Sequence, residues 1–250
     1  MSKKALVTGA SEGIGQAIAR RLKEEGYLVT SVARSADKLK TFTAELGSGH
    51  DLIVADLSTV AGQGKIADAL EKGNYNLLIN NAGVGTVGAF TEVPLEKQMA
   101  MLSLNAAAVV RLAYAFLKNA KSGDALVNVS SALAFMPMPG MGLYSATKSF
   151  VTAFSDTLWY EQKKRGVYVM GLHPGITATN FQVAAGGRKE DLPSHLAQTS
   201  EQVADICIKE LRARRKPTVI SGGKNVIFAG TSRILPRKSI VNMTGKMMEK

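Results

Sequence analysis

Tyr144 and Lys148 stand four residues apart in the run Tyr144-Ser-Ala-Thr-Lys148, a spacing that puts both side chains on one face of a helix. A lysine ammonium in that position can stabilise a phenolate, so the tyrosine can donate and accept protons near neutral pH. Ser131, thirteen residues upstream, could hold a carbonyl oxygen beside the phenol. The set suits reduction of a ketone, given a hydride donor close by.

The start of the chain offers a place for such a donor. Thr8-Gly9-Ala10-Ser11-Glu12-Gly13-Ile14-Gly15 joins an apolar strand pattern to a helical one. Glycines permit a tight turn and let the backbone approach a pyrophosphate at the helix N-terminus. The spacing is GxxxGxG rather than GxGxxG, and no Lys-Ser/Thr pair follows, which separates it from a P-loop. The second strand ends Val32-Ala33-Arg34-Ser35, without the acidic residue that binds the ribose hydroxyls of NAD. Arg34 and Ser35 can instead take a 2′-phosphate by charge and hydrogen bond. The expected cofactor is NADP(H). Glu12 works against this by adding negative charge near the phosphates, and the bland alternative is an arginine solvated in a loop.

Apolar runs alternating with helical periodicity must position these groups. Strands are predicted at 5–8, 28–32, 52–55, 77–79, 125–129, 167–172 and 218–220, and helices over 14–26, 36–46, 61–72, 95–117, 143–165 and 202–214. The strands are short, continuous and apolar, as in a parallel sheet covered on both faces. Repeated strand–helix units predict an α/β doubly wound (Rossmann) fold, a parallel seven-stranded sheet with helices on both faces. No linker or repeat divides residues 1–250, so a single oxidoreductase domain is expected, with a basic C-terminal extension at about 222–250. The polar stretch 182–199, containing Gly186-Gly187, breaks the alternation and reads as a lid or as an ordinary surface loop.

Composition narrows the classes. A chain of 250 residues, 46% hydrophobic and 20% charged, has an ordinary globular balance. Cys207 is the only cysteine, which excludes an intrachain disulfide and a cysteine zinc site. His50, His173 and His195 lie far apart in sequence, and no metal is expected. The chain opens Met-Ser-Lys-Lys and enters an apolar run without a signal-peptide pattern. No apolar stretch is expected to reach the ~18 residues of a spanning helix, so the expected location is cytoplasmic. The net charge of +11 is uneven: residues 209–250 carry eleven Lys/Arg against two Glu, +9, and the other 208 residues carry +2. A near-neutral body with a basic tail and no interleaved aromatic residues argues against nucleic-acid binding.

Together these segments resemble the short-chain dehydrogenase/reductase family over nearly the whole chain. Beside the TGxxxGxG turn (Gly9, Ser11, Glu12, Gly13, Ile14, Gly15), Asp56-Leu57 follows the third strand and Asn80-Asn81-Ala82-Gly83 the fourth. Asn105 falls in the long central helix, and Pro174-Gly175-Ile176-Thr177-Ala178-Thr179 follows the sixth strand. The resemblance implies that Asn105, Ser131, Tyr144 and Lys148 are catalytic and that Asp56 and Leu57 meet the adenine. It implies further cofactor contacts from Asn81, Ala82, Gly83, Pro174, Gly175, Ile176 and Thr179, and from Tyr144 and Lys148, the lysine holding the nicotinamide ribose. Asn105 would position a water that links Lys148 to solvent. The family commonly pairs the helices carrying Asn105 and Tyr144 across a dimer axis, which implies a homodimer or homotetramer.

Each motif has a plainer reading. Asp56 could cap the helix that begins near Ser58, Asn81 could tie strands together, and Ser130 rivals Ser131. Asn76 stands where the family often has an acidic residue. Leu133, Phe135, Met136, Met138, Met141, Phe181 and Val183 are expected on the substrate side, which favours a hydrophobic small-molecule carbonyl substrate such as a 3-ketoacyl chain or steroid-like ketone. In the tail, Ile240, Val241, Met247 and Met248 recur at helical spacing among basic residues. That stripe could make peripheral membrane contact, attract an anionic substrate, or dock on the chain's own body. An NADP(H)-sensing regulatory protein of the same fold is the alternative to an enzyme.

Overall fold

In the computed structural model, which describes residues 2–187, 197–232 and 234–248, the strands are β1 Lys4–Thr8, β2 Leu28–Ala33, β3 Asp51–Val54, β4 Leu77–Asn80, β5 Ala125–Val129, β6 Tyr168–His173 and β7 Thr218–Ile220. All pair in parallel, in the order β3-β2-β1-β4-β5-β6-β7. Leu6 stands beside Thr30 on one side and Leu78 on the other.

The period-two alternation of a strand divides each apolar run between two cores. Ala5, Val7, Leu77, Ile79, Val127 and Met170 face one core, which α1 (Gly13–Glu24), α2 (Ala36–Leu46) and α8 (Ser200–Ala213) cover. Leu6, Leu78, Leu126 and Val169 face the other, covered by α3 (Val60–Lys72), the central helix and α6 (Gly142–Gln162). Burial on both faces explains why the strands read as unbroken apolar runs. Cys207 on α8 is fully buried in the first core as a free thiol.

The central helix runs from Leu95 to Asn119 as α4 (Leu95–Leu102), a π-helical segment Ser103–Ala107 and α5 (Ala108–Asn119). It is long and apolar enough to cross a membrane by length and composition, contrary to the sequence expectation. More than half of its most apolar window is buried inside the molecule, as a core helix on a hydrophobic sheet must be.

Chain order reverses between β1 and β4, and sheets of this kind open a ligand crevice beyond the carboxyl ends of such strands. The polar break in the pattern holds the short helix α7 (Phe181–Ala184) and the bend at Gly186-Gly187, and the rest of the expected lid, 188–196 with His195, lies outside the described residues. The basic extension forms α9 (Gly223–Thr231) and α10 (Arg237–Met248). Ile240 and Thr244, one turn apart, are fully buried. Of the expected apolar stripe, Ile240 is turned onto the chain's own body, while Met243 beside it is exposed. Val241 is partly exposed, and the side chains of Met247 and Met248 lie outside the described residues.

Candidate active site

Ser131 lies two residues beyond β5 and caps the 3-10 turn Ala132–Phe135, its Oγ accepting the Leu133 N–H at 3.1 Å. Tyr144 and Lys148 lie on the first turns of α6, and both are buried. Lys148 Nζ donates to the Val129 carbonyl at 2.9 Å and sits 5.8 Å from the centre of the Tyr144 ring. Ser130 Oγ turns the other way, to the Lys148 carbonyl at 2.8 Å and Thr152 Oγ1 at 2.9 Å. It is spent on the helix backbone, whereas Ser131 stands beside the phenol.

Burial dominates the electrostatics. It pushes the Tyr144 phenol up to about 12, with the Ser131 hydroxyl pulling back, and the Lys148 ammonium down to about 8. The expectation that Lys148 lowers the phenol pKa is not met by the protein's own groups. The ammonium is held against the Val129 carbonyl over the ring face, and desolvation outweighs it.

Asn105 is fully buried in the π-helical segment. Its Nδ2 donates to Val84 O at 2.8 Å and Thr147 Oγ1 at 3.2 Å, and its Oδ1 accepts the Val84 N–H at 3.0 Å. The wider turn lets the amide exchange two bonds with the loop after β4, which an uninterrupted helix was not expected to do; π-helical turns recur at functional sites.

The glycine-rich turn closes against two other motifs. Gly9 and Gly13 have φ of +68° and +61°, a region that only glycine enters readily. A Cβ on Gly9 would stand 2.8 Å from Asn81 Nδ2, and one on Gly13 would stand 3.2 Å from Thr179 Cγ2. Asn81 Nδ2 donates to Thr8 O at 2.9 Å, and the N–H groups of Asn81 and Ala82 both donate to Thr8 Oγ1. These bonds tie β1 to β4, the plainer reading of Asn81, and leave the Ala82 N–H occupied. The side chain of Leu57 is buried in one core, and Ile14, half-buried, packs against the other. The Pro174 carbonyl accepts the Ala132 N–H at 2.8 Å, Gly175 abuts Asn225, and the Ile176 carbonyl accepts the Gln198 N–H at 2.9 Å.

Asp56 Oδ1 accepts from the N–H and hydroxyl of Ser58 at 2.9 and 2.7 Å. The cap of α3 is Thr59, which accepts the Gly62 N–H at 3.0 Å; Asp56 closes the turn before it. Burial raises the Asp56 carboxyl, but the Ser58 bonds and the charge of Arg34 outweigh it and hold the pKa below its usual value. Ser35 caps α2 without a side-chain bond, and Arg34 beside it is exposed; among the described residues Arg34 forms no ion pair. Glu12, expected to repel phosphate, instead accepts from Lys38 at 2.8 Å. Lys38 escaped the sequence reading because its partner lies on another element.

A dinucleotide fits these residues. A Cβ on Gly83 would stand 3.2 Å from Asn105 Oδ1 and 3.3 Å from Lys148 Nζ, so glycine alone leaves open the passage between them. At the other end, Arg34, the free Ser35 hydroxyl and the α2 N-terminus form an anion-binding set.

On the far side of Tyr144, Met101, Met138 and Met141 pack with the phenol, joined by Val84, Val87, Leu133 and Phe181. The Phe181 ring lies 5.5 Å from the Tyr144 ring and against Gly85. Val87 N–H donates to Ala185 O at 2.9 Å, fastening α7 over the site. Three expected lining residues lie elsewhere: Phe135 packs on His173, the rings tilted by 35° with centroids 5.0 Å apart, Met136 is buried outside this cluster, and Val183 is 51% exposed. Met101, four residues before Asn105 on the same helix face, is the lining residue that helical spacing could have found.

The family model for short chain dehydrogenases matches residues 3–189, three quarters of the chain and every motif above. The chain belongs to the short-chain dehydrogenase family. A serine 3-dehydrogenase of Agrobacterium fabrum is 35% identical over 196 residues, 76% of this chain and 78% of that protein. A 7beta-hydroxysteroid dehydrogenase of Mediterraneibacter gnavus is 30% identical over 228 residues, 88% of this chain and 86% of that protein. Among solved structures, a short-chain dehydrogenase from Sphingobium yanoikuyae in complex with NADPH superposes with a TM-score of 0.81 at 29% identity, covering 92% of this chain and 93% of that one. This short-chain dehydrogenase thus shares most of its length with dehydrogenases named for different substrates, serine and a hydroxysteroid.

Proposed function

We propose that this chain is an NADP(H)-dependent oxidoreductase that interconverts an apolar ketone and its secondary alcohol. The observation that carries the reading is the convergence of Ser131, Tyr144, Lys148 and Asn105 beneath a methionine-lined wall. NADPH would lie from Arg34 and Ser35 along the Gly9–Gly15 turn to Gly83 and Lys148, and when bound it supplies the hydride. The NADPH complex of the Sphingobium relative supports that choice.

In this reading Ser131 Oγ and the Tyr144 hydroxyl hold the carbonyl oxygen. The phenol is protonated at neutral pH and donates to the developing alkoxide as general acid, while the Ser131 hydroxyl stabilises charge on the same oxygen. Lys148 returns a proton toward the phenol, and Asn105, pinned to Val84, keeps the lysine's passage to solvent in register. Met138, Met141, Met101 and Phe181 exclude water and accept an apolar substrate. A cytoplasmic location belongs to the same reading.

The test is cofactor oxidation by the wild type and Tyr144→Phe across β-ketoacyl thioesters, steroid ketones, sugars and small aldehydes, with NADPH and NADH in parallel. We expect NADPH preference, turnover of an apolar ketone, and loss of at least ~100-fold in kcat for the phenylalanine variant with cofactor binding retained. Near-normal turnover by Tyr144→Phe would refute the tyrosine's role, and wild-type preference for NADH would refute the role of Arg34.

A further inference from the structure

The loop from Met136 to Met141 forms much of the substrate wall, and its sequence denies it the usual means of holding itself in place. Pro137 and Pro139 have no N–H to donate, so the loop depends on bonds from neighbours. Within the loop, the Met141 N–H reaches Met138 O at 2.9 Å. From the loop after β4, the Gly88 N–H donates to Gly140 O at 3.0 Å. At its ends the Met136 N–H donates to Leu133 O at 3.3 Å and Met141 O accepts the Ser145 N–H at 2.9 Å, and a tie to its middle comes from the C-terminal extension: Thr244 Oγ1 on α10 stands 2.8 Å from the Pro137 carbonyl.

Thr244 is an unexpected residue for mere docking. It is fully buried beside Ile240, which is also fully buried, and there an aliphatic side chain would add apolar burial without a hydroxyl to satisfy. The hydroxyl is also within reach of Ile240 O at 3.0 Å and Val241 O at 3.1 Å, so it could be satisfied within its own helix, yet its shortest contact is to the loop. Gly245 faces Pro139 as well, with room for a Cβ at an ordinary contact distance of 3.6 Å from Pro139 Cγ. Met138, the residue after Pro137, packs on Tyr144.

We propose that α10 clamps the substrate loop, and that Thr244 is a positioning residue that sets which ketones reach Tyr144. The proposal rests on the reductase reading for its kinetic consequence but not for its mechanical one. Thr244→Val removes the hydroxyl at constant shape, and Thr244→Ser retains it. For each variant, kcat and KM are measured with a bulky apolar ketone and a small one, together with the NADPH dissociation constant. We expect the valine variant to lose about tenfold in the ratio of kcat/KM for bulky over small ketone, as a slightly misplaced apolar pocket would. The loss should sit mainly in the KM of the bulky ketone, with NADPH affinity unchanged and the ratio kept in the serine variant.

Amide hydrogen exchange over residues 136–143 supplies a readout independent of turnover. It should quicken in the valine variant and stay at the wild-type rate in the serine variant. Unchanged exchange and an unchanged ratio overturn the clamp, as does an equal loss on both ketones with weakened NADPH binding. A wild type that reduces no ketone defeats the reductase reading alone, and the exchange measurement then decides the clamp.

Discussion

Burial shifts the pKa of Tyr144 and of Lys148 toward the neutral form, and so drives the two in opposite directions. The phenol, at about 12, stays protonated throughout the physiological range, as a proton donor to an alkoxide should. The ammonium, at about 8, lies where it exchanges a proton readily. The two values separate two origins for the alkaline limb of the pH profile. For ketone reduction, activity should be full below pH 8 and fall as Lys148 loses its proton, with an apparent pKa near 8 rather than near 12. A kcat/KM profile that stays flat to pH 10 would remove Lys148 from the proton path.

At the scale of elements, the site is a meeting of loop ends, and Gly83 stands where Asn105 and Lys148 meet. Gly83→Ala would drive a methyl group between Asn105 Oδ1 and Lys148 Nζ. The expected result is a folded protein that loses at least ~10-fold in kcat, since small misplacements of catalytic groups cost that much or more; wild-type kcat in the alanine variant would show that the passage does not matter. The elements themselves were legible: α2, β5 and β7 match their apolar patterns to the residue. Tyr144 and Lys148 were legible because helical spacing is a local rule. The π-helical segment at Asn105 was not, because it goes with a pair of bonds to Val84, twenty-one residues away. The place of Phe135 and the docking of α10 were hidden for the same reason. Each depends on a partner (His173 for one, Pro137 for the other) that periodicity does not name.

At the scale of the whole molecule, two properties follow from what is inside and what is left outside. His173 is fully buried at the end of β6, and burial holds its pKa down at about 4, against the opposing bond to the Val219 carbonyl. Between pH 6.5 and 4 the unfolded chain binds a proton that the folded chain refuses, so stability falls as pH drops through that window, by up to about 3 kcal/mol. Urea unfolding of His173→Gln should show a flatter acid limb than the wild type; identical slopes would assign the acid sensitivity to other groups. Outside, Met99, Leu102, Val110 and Tyr114 on the central helix and Phe150 on α6 remain exposed, and several of them line one cleft with Gln63 and Arg111. A face of this kind is suited to a second copy of the chain. Sedimentation equilibrium should find a dimer for the wild type and a monomer for Phe150→Glu; a monomeric wild type would rule the dimer out.

The lone thiol of Cys207 gives the chain a built-in reporter. Burial pushes it up to about 12 and seals it between α8 and the sheet, so a thiol reagent meets it only when that packing opens. With no second cysteine to confuse the signal, the labelling rate counts openings of the core between α8 and the sheet one at a time. Any ligand that binds the closed form should slow that clock in proportion to its occupancy, which turns a structural thiol into an assay for ligand binding that needs no turnover.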